Sequence, residues 1–121
     1  MPRVVLFREA NGRVPLLRWL EGLSQKARDH VSVSIERLRV QGHLLRRPES
    51  GHLADGIHEL RFRCQGLNFR VLYFFHGRDL VVLSHGIIKQ AAKVPQLELD
   101  CARGRRRQFL VDPRRHTHGE E

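Results

Sequence analysis

Three β-prone segments separated only by turn-length gaps constrain this chain more than any other feature. They are Ile57-His58-Glu59-Leu60-Arg61-Phe62-Arg63, Phe69-Arg70-Val71-Leu72-Tyr73-Phe74-Phe75 and Leu80-Val81-Val82-Leu83-Ser84-His85-Gly86-Ile87-Ile88-Lys89. Gln65-Gly66 and His76-Gly77-Arg78-Asp79 fill the gaps, which are hairpin length. The segments therefore predict an antiparallel meander. Each also carries a cation, and a strand that buries one face has no reason to hold Arg on the other unless water or an anion meets it there.

Alternation sorts these side chains. Leu60 and Phe62 share one face, and Glu59, Arg61 and Arg63 share the other. In the next strand Phe69, Val71, Tyr73 and Phe75 oppose Arg70, Leu72 and Phe74. That strand is apolar on both sides, as a central strand covered on both faces would be. His85 and Ile87 run in phase to Lys89. Arg61, Arg70 and Lys89 on adjacent strands would form a cationic floor suited to phosphate.

The flanks supply the cover. Residues 3–7 read as a first strand, and Asn11-Gly12 as a turn. Apolar residues from Val14 to Leu23 fall at helical spacing, with Pro15 in the first turn. Ser24 is a good N-cap for a second helix, whose stripe is Ala27, Val31, Ile35 and Leu38 and whose end is Gly42. The two helices predict a hairpin over one sheet face. Residues 43–55, with Pro48 and Gly51, read as a loop, and Pro95 opens a last helix through about Leu110 with Leu97 or Leu99, Ala102 and Phe109 as its apolar positions. The fold class is α+β: one domain over residues 1–111, and a disordered basic, His-bearing tail over 112–121 with nothing to bury.

Charge gives the strongest clue to partners. Lys and Arg number 22 against 13 Asp and Glu, for a net charge of +9. Such an excess favours polyanions. Only Lys26, Lys89 and Lys93 are Lys, and Arg offers a rigid bidentate fork for phosphate. Cys64 and Cys101 are too isolated for a disulfide framework or zinc knuckle. No two of the eight histidines fall at ligand spacing on one helix, so no metal or other cofactor is expected. Nothing in the sequence reads as a bilayer span or a signal peptide, so a cytoplasmic, membrane-free protein is expected.

Gly56-Ile57-His58-Glu59-Leu60-Arg61-Phe62-Arg63, Phe69-Arg70-Val71-Leu72-Tyr73-Phe74, Leu83-Ser84-His85-Gly86-Ile87-Ile88-Lys89 and Pro95 resemble the phage-derived, HigB-like branch of the RelE/ParE toxin superfamily. The order of elements is similar too, over about residues 3 to 110. The resemblance implies a RelE-like fold and the toxin of a type II toxin-antitoxin pair. Such toxins are small metal-independent endoribonucleases that cut mRNA, commonly in the ribosomal A site. It implies a cognate antitoxin, acidic and carrying a helix-turn-helix DNA-binding unit. It places Arg61, Arg70 and Lys89 on the family's functional cations. The branch usually closes the last strand with Phe and two lysines; here Ile88, Lys89 and Gln90 stand there, and Lys93 is the nearest replacement cation. A gyrase-poisoning sister on the same fold, or a catalytically faded RNA binder, are the alternatives.

RNA cleavage requires alignment of the 2′-hydroxyl, removal of its proton and stabilisation of the phosphorane charge. Arg61 and Arg70 are the candidate phosphate clamp, and Lys89 the candidate charge stabiliser or acid. His85 is a candidate base that titrates near neutrality. Arg63, Lys93 and Glu59 are candidate RNA-binding residues, with Glu59 also able to orient Arg61 or act as base. The structural alternative for Arg70 is a cross-strand ion pair with Glu59.

Overall fold

A computed structural model describes residues 2–119. Met1, and the last two residues of the predicted tail, Glu120 and Glu121, lie outside the described residues. The chain runs β1 (Arg3–Phe7), α1 (Pro15–Glu21), α2 (Gln25–Gln41), a 3-10 turn (Gly42–Leu44), β2 (Ser50–Ala54), β3 (Ile57–Cys64), β4 (Leu67–His76), β5 (Leu80–Lys89), α3 (Gln96–Val111) and β6 (Thr117–His118). The architecture is α+β: an open six-stranded sheet, in the order β2-β3-β4-β5-β1-β6, with three helices.

The two flanks of the sheet correct the sequence-based expectation. The segment read as a loop contains β2, which pairs antiparallel with β3 and extends the meander to four strands. Asp55 and Gly56 join them with φ of 51° and 79°, a two-residue turn with both residues left-handed, whose twist suits paired strands. Gln65 and Gly66, at 52° and 82°, make the same turn between β3 and β4. The segment read as a free tail also folds back. Thr117 and His118 pair with β1, His116 is buried and stacks on Phe7 at 5.0 Å, and Arg8 donates to the carbonyls of Arg114 and Arg115.

The sheet is covered on both faces. On one, the helical hairpin buries Leu16 and Leu38 against Leu60, Val71, Tyr73, Val81 and Leu83. Ser24 caps α2 as predicted, its hydroxyl accepting from the Ala27 amide at 3.1 Å. On the other face, α3 buries Ala102 and Phe109 against Val5, Phe7, Ile57, Leu72, Phe74 and Val82. Leu99 packs there too, while Leu97 is exposed, which settles which of the pair belongs to the core.

His58 tests the hairpin face. Its ring lies flat against Tyr73 at 5.3 Å and edge-on to Phe75 at 5.4 Å. Burial, then the nearby His52 and His43, lowers its pKa to about 4. The unfolded chain protonates this ring near pH 6.5, so below that pH the unfolded state binds the extra proton and the native state does not. Stability should therefore fall as pH drops from about 6.5 to about 4, and be indifferent to His58 above that window. The ring is only half-buried, so solvent screening limits this to about 1–2 kcal/mol. Urea titrations across that range should show a shallower pH slope for His58→Gln; equal slopes would contradict the assignment.

Candidate functional site

The site begins with a like-charge problem. The β3–β4 register sets Arg61 directly opposite Arg70, a repulsive cross-strand pair. Glu59, two residues along β3 on the same face, resolves it. Its Oε1 lies 3.1 Å from Arg70 Nε and its Oε2 3.8 Å from Arg61 Nε. The Arg70 contact is an ion pair without hydrogen-bond alignment, and both atoms are buried with no other partner. Arg70 also donates from Nη1 to its neighbour's carbonyl, Phe69 O, at 2.9 Å. The carboxylate thus holds two guanidinium groups side by side with donors unspent.

Arg70 is only 5% exposed and Glu59 7%. Burial lowers the Arg70 pKa, Glu59 opposes that shift and Arg61 adds to it. The expected structural ion pair is therefore present. Glu59, buried and spent on the two arginines, does not line the adjoining groove, so its place is that of a residue orienting Arg61 and Arg70.

Arg61, Arg63 and Arg70 line one groove of about 640 Å³. It runs between α2 and the end of β3 that β2 does not cover. The far wall comes from Lys26, Asp29, His30, Val33, Ser34 and Arg37, the α2 residues off its core stripe, and Pro48 and Glu49 close one end. Five Lys and Arg side chains thus face two carboxylates. The groove also offers flat rings: His30 stacks on Phe62 at 5.5 Å, and Phe62 on Phe69 at 5.0 Å. The Arg37–Glu49 contact is long, 3.9 Å, between exposed groups, and holds little of that charge. The α2 wall was absent from the sequence-based site. Its signal was the polar side of a helix, which usually faces only water.

The other predicted residues fall around this groove rather than in it. Lys89, opposite Asn68, is half-buried and donates to Ala92 O at 3.1 Å. Burial, then the charge of Arg70, lowers its pKa, and Glu59 opposes this, which places it within the field of the arginine pair. Lys93 is exposed on the turn before α3 and does not line the groove.

His85 is engaged elsewhere. A β-bulge between Leu72 and Tyr73 leaves Ser84 without a partner on β4, so Ser84 and His85 both face α3. His85 Nδ1 is 2.8 Å from Ser84 Oγ and Nε2 is 2.9 Å from Glu98 Oε1. Arg105 donates to Ser84 Oγ and to Glu9. Burial, then Arg105, lowers the His85 pKa, and the hydrogen bond and charge of Glu98 oppose that shift. At 8% exposure His85 ties α3 to the sheet and does not reach the groove.

Residues 18–107 match the family described as phage derived protein Gp49-like (DUF891). The chain belongs to this family. Gp49-like proteins are related to RelE-type toxins. No curated protein matches the chain. The matched span of this Gp49-like domain runs from within α1 to within α3 and contains the arginine pair, Glu59, Lys89 and the α2 wall. Among the described residues, no helix is long and apolar enough to cross a membrane.

Proposed function

We propose that this Gp49-like protein is a RelE-like toxin of the HigB-like branch, an endoribonuclease that cuts mRNA on the ribosome, and that an acidic antitoxin neutralises it. The observation that carries this reading is the arginine pair held by one buried carboxylate at the floor of a cationic, ring-lined groove. A phosphodiester seated there meets donors of Arg61 and Arg70, while His30, backed by the Phe62–Phe69 stack, offers its outer face to an adjoining base. Alignment of the 2′-hydroxyl with the scissile phosphate supplies about 7–11 kcal/mol in favourable cases. Each pre-aimed donor adds roughly 3–4 kcal/mol of charge stabilisation. Lys89, beside the groove, adds its positive charge to the field of the arginine pair. The arrangement of charge also makes the groove the natural target of an acidic antitoxin segment.

The test is induction in cells followed by primer-extension mapping of transcripts. The native chain should produce discrete new 5′ ends and rapid loss of translation. Arg61→Met, at a half-buried side chain whose removal leaves Glu59 paired to Arg70, should cut cleavage by about 10²–10³-fold. Growth arrest with intact transcripts and a DNA-damage response would overturn the nuclease reading in favour of gyrase poisoning.

A further inference from the structure

A second hollow, of about 390 Å³, lies on the other side of the segment that closes the groove. Pro48 and Glu49 line the groove, and Arg46, Arg47, Ser50 and Gly51 line the hollow, so this short stretch of chain is the wall between them. Leu45, His52 and His58 complete the hollow, and its lining contains no carboxylate. Arg46 and Arg47 are exposed, and neither forms an ion pair with an acidic side chain among the described residues. Arg46 is steered by its own backbone, donating from Nη1 to His43 O at 2.5 Å.

Flat rings accompany these cations. His52 is exposed at the outer strand of the sheet, edge-on to His58 at 5.0 Å. His43, also exposed, lies flat on Phe75 at 3.7 Å. Gly51 borders both: it lines the hollow, while a methyl group built on it would point to the opposite face of β2, 3.9 Å from Arg61 Nη1, so the outer strand of the sheet is what separates the hollow from the arginine pair. Metal binding is the competing use of paired histidines, but no group of three potential ligands forms among the described residues. Unpaired guanidinium groups beside exposed rings are instead the chemistry that holds single-stranded nucleic acid: backbone charge on one side, stacked bases on the other.

We propose that the hollow lined by Arg46, Arg47, Ser50, His52 and His58 is a second subsite for single-stranded RNA, gripping the strand where it leaves the Arg61–Arg70 groove. The proposal rests on RNA being the ligand of that groove. It assigns the two sites different work: the groove positions the phosphate that reacts, and the hollow adds affinity for a longer strand.

Non-cleavable 2′-O-methyl oligonucleotides separate the two, because their binding does not require catalysis. Fluorescence anisotropy would compare a 4-mer with a 12-mer on the full chain, on Arg47→Ser, on His52→Ala, on the Arg46→Ser/Arg47→Ser pair and on Arg61→Met. The pair should weaken the 12-mer by about tenfold or more and leave the 4-mer unchanged. The slope of log K against log salt should fall by about 0.7 for each phosphate that the variant no longer holds. Arg47→Ser and His52→Ala, at exposed positions, should each give part of the loss with an unchanged urea midpoint. Arg61→Met should weaken both oligonucleotides. Native affinity for the 12-mer in the pair variant would overturn the subsite while leaving the groove reading intact if Arg61→Met still weakens the 4-mer. Failure of the native chain to bind either length would overturn both. Loss of affinity for a poly-glutamate peptide without loss for the 12-mer would overturn RNA as the occupant and assign the hollow to an acidic protein.

Discussion

Arg70→Ala should abolish growth inhibition and also destabilise the domain by about 3 kcal/mol, the lower end of what breaking a buried ion pair costs. The two effects have different origins. Glu59 is buried, and without Arg70 its carboxylate keeps only the longer 3.8 Å approach to the partly exposed Arg61. An uncompensated buried charge is expensive, whereas replacing both partners by neutral groups of similar volume is often harmless. Loss of toxicity in Arg70→Ala alone would therefore not identify a clamp, because a less stable toxin is also a scarcer one.

The Glu59→Gln/Arg70→Met pair separates these effects. It removes both charges, so its urea-unfolding free energy should return to within about 1–2 kcal/mol of the native value. Its toxicity should stay lost, because a thioether cannot hold a phosphate. A double variant that arrests growth like the native chain would end the assignment of Arg70 as a phosphate ligand. An Arg70→Ala chain as stable as the native one would show that the Glu59 ion pair contributes nothing.

The sequence exposed the arginine pair but not its burial, for a physical reason. Alternation places Glu59, Arg61 and Arg70 on one face, and hairpin-length gaps make their strands neighbours. Burial depends on what covers that face, and that cover is remote in sequence. The same limit applies to His85. Its phase toward Lys89 is legible, but the partners that hold it, Glu98 and Arg105, come from α3 across the sheet. β2 was missed although its hairpin turn is written in Asp55-Gly56; Pro48, Gly51 and the polar residues around them outweighed that signal. β6 left no comparable trace. Two residues held by a Phe7–His116 stack and two arginine-to-carbonyl bonds carry no hydrophobic period. The long strands and the hairpin were legible because their periodicity and their packing agree.

Gly86→Ala should destabilise the fold by about 3 kcal/mol or more, through overpacking. Gly86 pairs with Val71 in the sheet, and its open face receives the Trp19 ring so closely that an added methyl would lie inside the van der Waals surface of ring carbons Cε3, Cζ3 and Cδ2. Glycine here serves close approach rather than an unusual backbone angle. Trp19 meets Phe69 edge-to-face at 6.1 Å, so the same ring seats the helical hairpin on the sheet. A methyl on Gly86 forces α1 outward, and α2 with it. A double-mutant cycle with Trp19→Ala tests this. Trp19→Ala alone should cost about 3 kcal/mol in lost packing. In that background the Gly86 methyl has room, so the pair should be more stable than the sum of the single effects by about 2–3 kcal/mol. Additive costs would mean that Ala is disfavoured at position 86 for a reason other than Trp19. The functional consequence follows from the walls of the groove. α2 supplies Lys26, His30 and Arg37, while β3 and β4 supply Arg61, Arg63 and Arg70. A hairpin lifted from the sheet separates those walls, so Gly86→Ala should weaken binding of the 4-mer even at temperatures where the chain stays folded.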